Sequence, residues 1–212
     1  MKKPPRLDDQ YNEYVKDFYR KIEDYDWNTV ADQRIGLESH LHRAREKRMK
    51  NLIQRYGRGE RYLDVGCGTG LILRHLLPNT VGIDLNPRHL ERARTYNPAA
   101  HFQIADAEQL PFEDACFSTV VCTEVLEHLV HPELAVAGIH RVLERGGRFI
   151  GSTPRSSLLW RFRFLSSTHY HNEPFHNEFA TEELRSLLSP FRILLLTTGF
   201  FRSMFFFVGE KE

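Results

Sequence analysis

Apolar and polar positions keep one rhythm up to about residue 56 and another beyond it. In the first stretch Tyr11, Tyr14, Val15 and Phe18, then Leu41, Met49, Leu52 and Ile53, recur at helical spacing in a polar setting. That spacing predicts two or three helices between 11 and 56. From 61 onward short β-branched runs take over, and strands are predicted over 61–65, 80–84, 101–105, 117–123 and 147–153. Helical stretches near 70–77, 87–95 and 132–144 separate most of them. Strand and helix in alternation imply right-handed crossovers, hence an α/β fold with a mostly parallel sheet covered on both faces. After Pro154 the pattern breaks into an aromatic and histidine-rich segment. A helix over 181–188 follows, then two apolar runs, 191–198 and 204–208, joined through Gly199. Their short connection predicts a hairpin along one edge of the sheet. The chain therefore divides into a helical extension, 1–57, and an α/β domain, 58–212.

Composition narrows the class. An apolar share of 41% and a charged share of 27% belong to a globular protein. A formal net charge of +1 gives no general attraction to polyanions, which weighs against nucleic acid as a partner. Cys67, Cys116 and Cys122 fit neither a disulfide framework nor a Cys-x-x-Cys metal site, so a reducing cytoplasm is the expected compartment. The N-terminal residues lack a signal peptide's apolar core, and no apolar run approaches the ~20 residues that span a bilayer.

Chemistry enters at Asp64-Val-Gly66-Cys67-Gly68-Thr-Gly70, where a first strand gives way to three closely spaced glycines. A turn this bare lets backbone approach a ligand, and exposed N–H groups beyond it suit an anion. The dinucleotide pattern would need glycine at 71, where Leu71 stands, and no Gly-Lys-Ser/Thr follows to make a P-loop. A nucleoside-type site without a pyrophosphate signature remains. Asp84 ends the second strand about twenty residues later, where an acid can accept both ribose hydroxyls. Asp106 ends the third and suits the rim of a base pocket. A strand-end Asp taken alone is more often a helix N-cap; three acids beside one switch point form a constellation.

These residues resemble the class I S-adenosylmethionine-dependent methyltransferases, and among them the quinone O-methyltransferases. Asp-Val-Gly-Cys-Gly-Thr-Gly, Gly-Ile-Asp-Leu-Asn-Pro, Asp-Ala-Glu-Gln-Leu-Pro-Phe, Thr-Glu-Val-Leu-Glu-His-Leu and Val-Leu-Glu-Arg-Gly-Gly-Arg-Phe-Ile follow one another in the family's order from about 61 to 153. Ser118 and His131 depart from the pattern at positions where Asp is usual. The resemblance implies a Rossmann-like seven-stranded sheet ordered 3-2-1-4-5-7-6, strand seven antiparallel, with S-adenosylmethionine as cofactor. It assigns Asp64, Gly66, Cys67, Gly68 and Gly70 to the cofactor's amino-acid side and Asp84 to the ribose. Leu85 falls on the adenine face, Asp106 and Ala107 on its edge, and Thr123 beside the sulfonium. Arg48 would meet the cofactor carboxylate, although Arg43, Arg45, Lys47, Arg48 and Lys50 also make a basic run of the kind that forms a solvated face.

Glu124, Glu127 and His128 share one face if their segment is helical. Three readings stand open: His128 as general base, a divalent metal held by all three, or paired and solvated charges. Small-RNA 2′-O-methyltransferases carry a similar Glu-x-x-Glu-His with a distal histidine, for which His171 and His176 are candidates; His176 can equally orient an acceptor hydroxyl from a lid. Trp160, Phe162 and Phe164 alternate with Arg161 and Arg163 in 158–165, a segment that can touch a membrane surface, cover an acceptor pocket or pack on the core. The expected reaction is methyl transfer to a small acceptor at oxygen. Its rivals are a metal-assisted RNA 2′-O-methyltransferase and a non-catalytic, cofactor-binding partner subunit.

Overall fold

The computed structural model describes residues 9–22, 26–33, 37–156, 174–200 and 202–212. The predicted segment 158–165, together with His171, lies outside them. Helices α1 (Asp9–Lys21), α2 (Trp27–Gln33) and α3 (Leu37–Tyr56) precede strands β1 (Tyr62–Val65) and β2 (Val81–Asp84), then α4 (Pro87–Tyr96) and β3 (His101–Ile104). After them come β4 (Phe117–Thr123), α5 (Pro132–Val142), β5 (Leu143–Pro154), α6 (Thr181–Leu187), β6 (Arg192–Gly199) and β7 (Met204–Glu210). The strands form one sheet ordered β3-β2-β1-β4-β5-β7-β6, with β7 antiparallel to both neighbours and the other pairings parallel. Fold class, strand order and hairpin are those expected from the sequence.

The central strands β1 and β4 are almost wholly buried because both faces are covered. Phe117, Val120, Phe149, Phe205 and Phe207 join Val136, Ile139 and Leu184 of α5 and α6 in one core. On the other face Met49, Leu52 and Ile53 of α3 pack with Val121, Ile150, Phe206 and Val208. Ser118, one of the two departures noted above, closes the entry to the sheet: its hydroxyl accepts from the Arg61 N–H at 3.1 Å and donates to the Arg61 carbonyl at 3.0 Å.

One element differs from expectation. Where a helix was predicted near 70–77, only a 3-10 turn forms, Leu73–His75. Gly70 enters at φ +84°, Leu76 is already extended, and Pro78 disfavours the α conformation of the residue before it. Too few residues remain between these fixed ends for an α-helix. Among the described residues no helix is long and apolar enough to cross a membrane.

Candidate active site

β1 delivers the glycine loop to the carboxyl edge of the sheet. Gly66, Gly68 and Gly70 have φ of +67°, +53° and +84°, a region where an L side chain is strained. Space forbids one as well, since a Cβ at Gly66 would fall 2.3 Å from Val125 Cγ2. The Cys67 side chain lies beneath the loop with Leu73 and Leu90, so its thiol faces the core, and burial pushes it well up.

Asp84 is not a helix cap here. Asn86 takes that task, accepting from the Arg88 N–H at 3.0 Å with Pro87 behind it. Asp84 instead binds the loop: Oδ2 accepts from the Gly68 N–H at 2.9 Å and Oδ1 from the Asn86 N–H at 2.8 Å. Each carboxylate oxygen has two lone pairs, so this bracing leaves acceptor capacity on both. Leu85 follows, half-buried. At the end of β3, Asp106 Oδ1 accepts from the Glu108 N–H at 2.8 Å, while Oδ2 pairs with Lys16 Nζ at 2.7 Å. Ala107 is buried between these two acids. Glu108 Oε2 meets the same ammonium at 2.9 Å. Burial alone would lower the Lys16 pKa, but its bonds to Asp106 and Glu108 outweigh that and raise it.

Among the described residues, the buried Asp64 Oδ2 and Thr123 Oγ1 of this edge have no hydrogen-bond partner. Asp64 is 2% exposed; burial, then the charge of Asp84, push its carboxyl up to about 8. An orphaned carboxyl held near neutrality beside a bare backbone loop fits a ligand that brings positive charge and N–H donors.

Beyond Thr123 the chain turns sharply. Glu124 sits at φ +57°, a strained value for a residue with a side chain, and its N–H donates to the Ser152 carbonyl at 3.0 Å. Its carboxylate accepts from the Ser152 hydroxyl at 2.9 Å and pairs with Arg45 of α3 at 3.2 Å. Glu127 is 1% exposed and accepts from the Thr153 hydroxyl at 3.0 Å. Burial, then repulsion from Glu124, raise its pKa well above the ordinary value. Residues Leu126–His128 form a 3-10 turn instead of the helical face expected, and the three side chains take separate partners. Among the described residues no group of three His, Cys, Asp or Glu side chains is arranged to hold a metal.

His128 and His176 do come together, ring centroids 5.4 Å apart. His128 Nδ1 is 2.8 Å from the Tyr19 hydroxyl of α1, and Nε2 lies 3.9 Å from Glu127 Oε1. Asn177 fastens the His176 segment in place, its N–H donating to the Glu127 carbonyl at 2.6 Å and its side chain to the Leu129 carbonyl at 2.7 Å. The Arg48 guanidinium lies over the Phe206 ring at 5.9 Å.

Residues 63–151 match the family model described as "Methyltransferase domain". That segment is similar to a class I methyltransferase domain. It is 39% identical over 102 residues to an O-methyltransferase of Penicillium expansum (cnsE), covering 43% of this chain and 37% of that one. With a ubiquinone biosynthesis O-methyltransferase of Alkalilimnicola ehrlichii it shares 33% over 132 residues, 56% and 53% of the two chains. The chain thus spans about a third to a half of the length of these curated relatives. The crystal structure of magnesium protoporphyrin IX methyltransferase from Synechocystis PCC 6803 with bound SAH has the same fold, with a TM-score of 0.71, 16% identity, and coverage of 94% and 99%.

The candidate site contains residues that reading the sequence did not single out. Trp27 of α2 lies against the loop, 3.3 Å from where a Gly68 Cβ would stand. Asn28 donates to the Thr69 carbonyl at 2.7 Å, and Asn86 to the carbonyls of Tyr19 and Ile22 at 3.2 and 2.7 Å. Lys16 and Tyr19 carry no local signal beyond helical spacing, since their partners lie some 90 to 109 positions away. Ser152 and Thr153 did offer one: two adjacent hydroxyls just after the apolar Phe149-Ile150 pair, both fully buried.

Proposed function

We propose that the protein transfers the methyl group of S-adenosylmethionine to a small-molecule acceptor, with oxygen as the attacking atom. The observation that carries this is the loop edge itself: left-handed glycines, two braced strand-end acids, and the partnerless Asp64 Oδ2. Oxygen is supported by the O-methyltransferase names of several curated relatives, which stand beside sterol C-methyltransferases. When bound, the cofactor supplies a sulfonium methyl already activated toward nucleophiles.

The chain's own residues then have to bind, orient and exclude water. Asp84 accepts from the ribose hydroxyls, Leu85 covers one adenine face, and Asp106 with Ala107 borders its edge. Gly66, the Cys67 backbone, Gly68 and Gly70 admit the amino-acid arm, Asp64 receives its ammonium, and Thr123 lines the sulfonium. The carboxylate falls to a guanidinium of α3, Arg48 by resemblance or Arg45 by its place beside Glu124. Cofactor titrations of R45Q and R48Q decide between them. The helices of 1–57 act as the cover, and His176 orients the acceptor.

His128 takes the acceptor's proton at Nε2 while Tyr19 holds Nδ1. In H128A turnover should fall by about 10²–10⁴-fold with cofactor affinity unchanged; a rate unaltered across pH would remove His128 as base. A net charge of +1 favours a small acceptor over nucleic acid, and three free thiols suit the cytoplasm. Calorimetry with S-adenosylmethionine and its demethylated product, followed by labelled-methyl transfer to phenolic and quinol acceptors with and without chelator, tests the whole reading. A protein that binds neither nucleoside is not this enzyme.

A further inference from the structure

Two strands along the sheet from β4, a cavity of about 320 Å³ opens where β5, β6 and β7 meet. Arg155, Arg185 and Arg202 line it, with the hydroxyl-bearing Thr181, Thr197 and Thr198. Several arginines elsewhere pair with carboxylates: Arg74 with Asp32 and Glu46, Arg141 with Asp114, and Arg192 with Glu210. The three cavity arginines have no such partner among the described residues. Arg155 is held by its flat face, 5.6 Å over the Phe205 ring, and its Nε is a buried donor with nothing to donate to. A guanidinium keeps its charge at any accessible pH, so three around one cavity repel unless an anion sits among them. Planar N–H edges beside hydroxyl donors match the oxygens of a phosphate.

β6 and β5 run in the same direction, so the cavity shares the carboxyl edge with the methyltransferase site. Neighbouring strands lie about 4.8 Å apart, which puts the cavity roughly 10–15 Å from the end of β4. We infer that Arg155, Arg185 and Arg202 bind a phosphate ester, carried by the acceptor at a distance from the atom that is methylated. The link to the acceptor rests on the proposed methyl transfer; the phosphate site does not.

Phenyl phosphate and inorganic phosphate, titrated calorimetrically into the wild type and the R185Q/R202Q variant, test it. Both substitutions lie at exposed positions, which spares the fold from the loss of the half-buried Arg155. Saturable binding of phenyl phosphate, displaced by inorganic phosphate and at least tenfold weaker in the variant, is the expected result. Equal affinity in both proteins, binding of inorganic phosphate alone, or capture only by phosphatidylglycerol vesicles would overturn it. Titrating the demethylated cofactor into the same samples separates the two readings. A wild type that binds phosphate but not that nucleoside loses the cofactor assignment and keeps this site.

Discussion

Phe149, Phe205 and Phe207 lie inside the sheet's core with at most 1% of their surface exposed, whereas Lys16, Tyr19 and Asn28 reach the ligand edge through ion pairs and hydrogen bonds. The first region is held by burial, which no ligand at the edge alters. The second is tied to Asp106, His128 and the glycine loop, the groups proposed to meet cofactor and acceptor. Were those acids to take the proposed ligand, these polar contacts would share them with it, and the order of the helices would then be coupled to occupancy. The scaffold's is not.

The largest effect should come from breaking the scaffold. Phe149→Ala should cost about 3–5 kcal/mol of stability in urea unfolding, in line with large cavities in packed cores. Asp84→Ala should leave that transition nearly in place and weaken cofactor binding by about 1–3 kcal/mol, read by calorimetry. Unchanged affinity would refute the ribose assignment. Lys16→Met should lower stability by no more than about 1 kcal/mol, yet speed hydrogen exchange in α1 while β4 and β5 stay protected. Equal acceleration in both regions would dissolve the contrast between them.

A proton gives a separate signal. Asp64 titrates near 8 in the folded chain and near the ordinary carboxyl value when unfolded, so between those limits the folded state holds the extra proton. Stability should therefore decline as pH rises from about 4 to about 8, and Asp64→Asn should flatten that decline. A cationic ligand stabilises the ionised form, so cofactor binding near pH 7 should release up to about one proton. Calorimetry in buffers of different ionisation enthalpy counts it.

Legibility in the sequence followed range. The periodic β-branched runs, the acids at strand ends and the apolar pair around Gly199 are local signals, and each reappears as a strand end or hairpin. Residues 70–77 misled because an apolar run looks helical until the left-handed Gly70 and the restriction before Pro78 are weighed. Glu124, Glu127 and His128 share spacing but not a face, because a positive φ at Glu124 and a 3-10 turn reorient them. Lys16, Tyr19 and Arg45 acquire their roles from partners some 79 to 109 positions distant, for which no short pattern exists.

The placement of β7 between β5 and β6 has a consequence for how the chain assembles during synthesis. β6 leaves the ribosome before the strand that alone joins it to the sheet, so it must wait with its ladder unmet. A released chain truncated within 200–203 should thus leave β6 and the edge of β5 unpaired, and bind a chaperone that the longer chain does not.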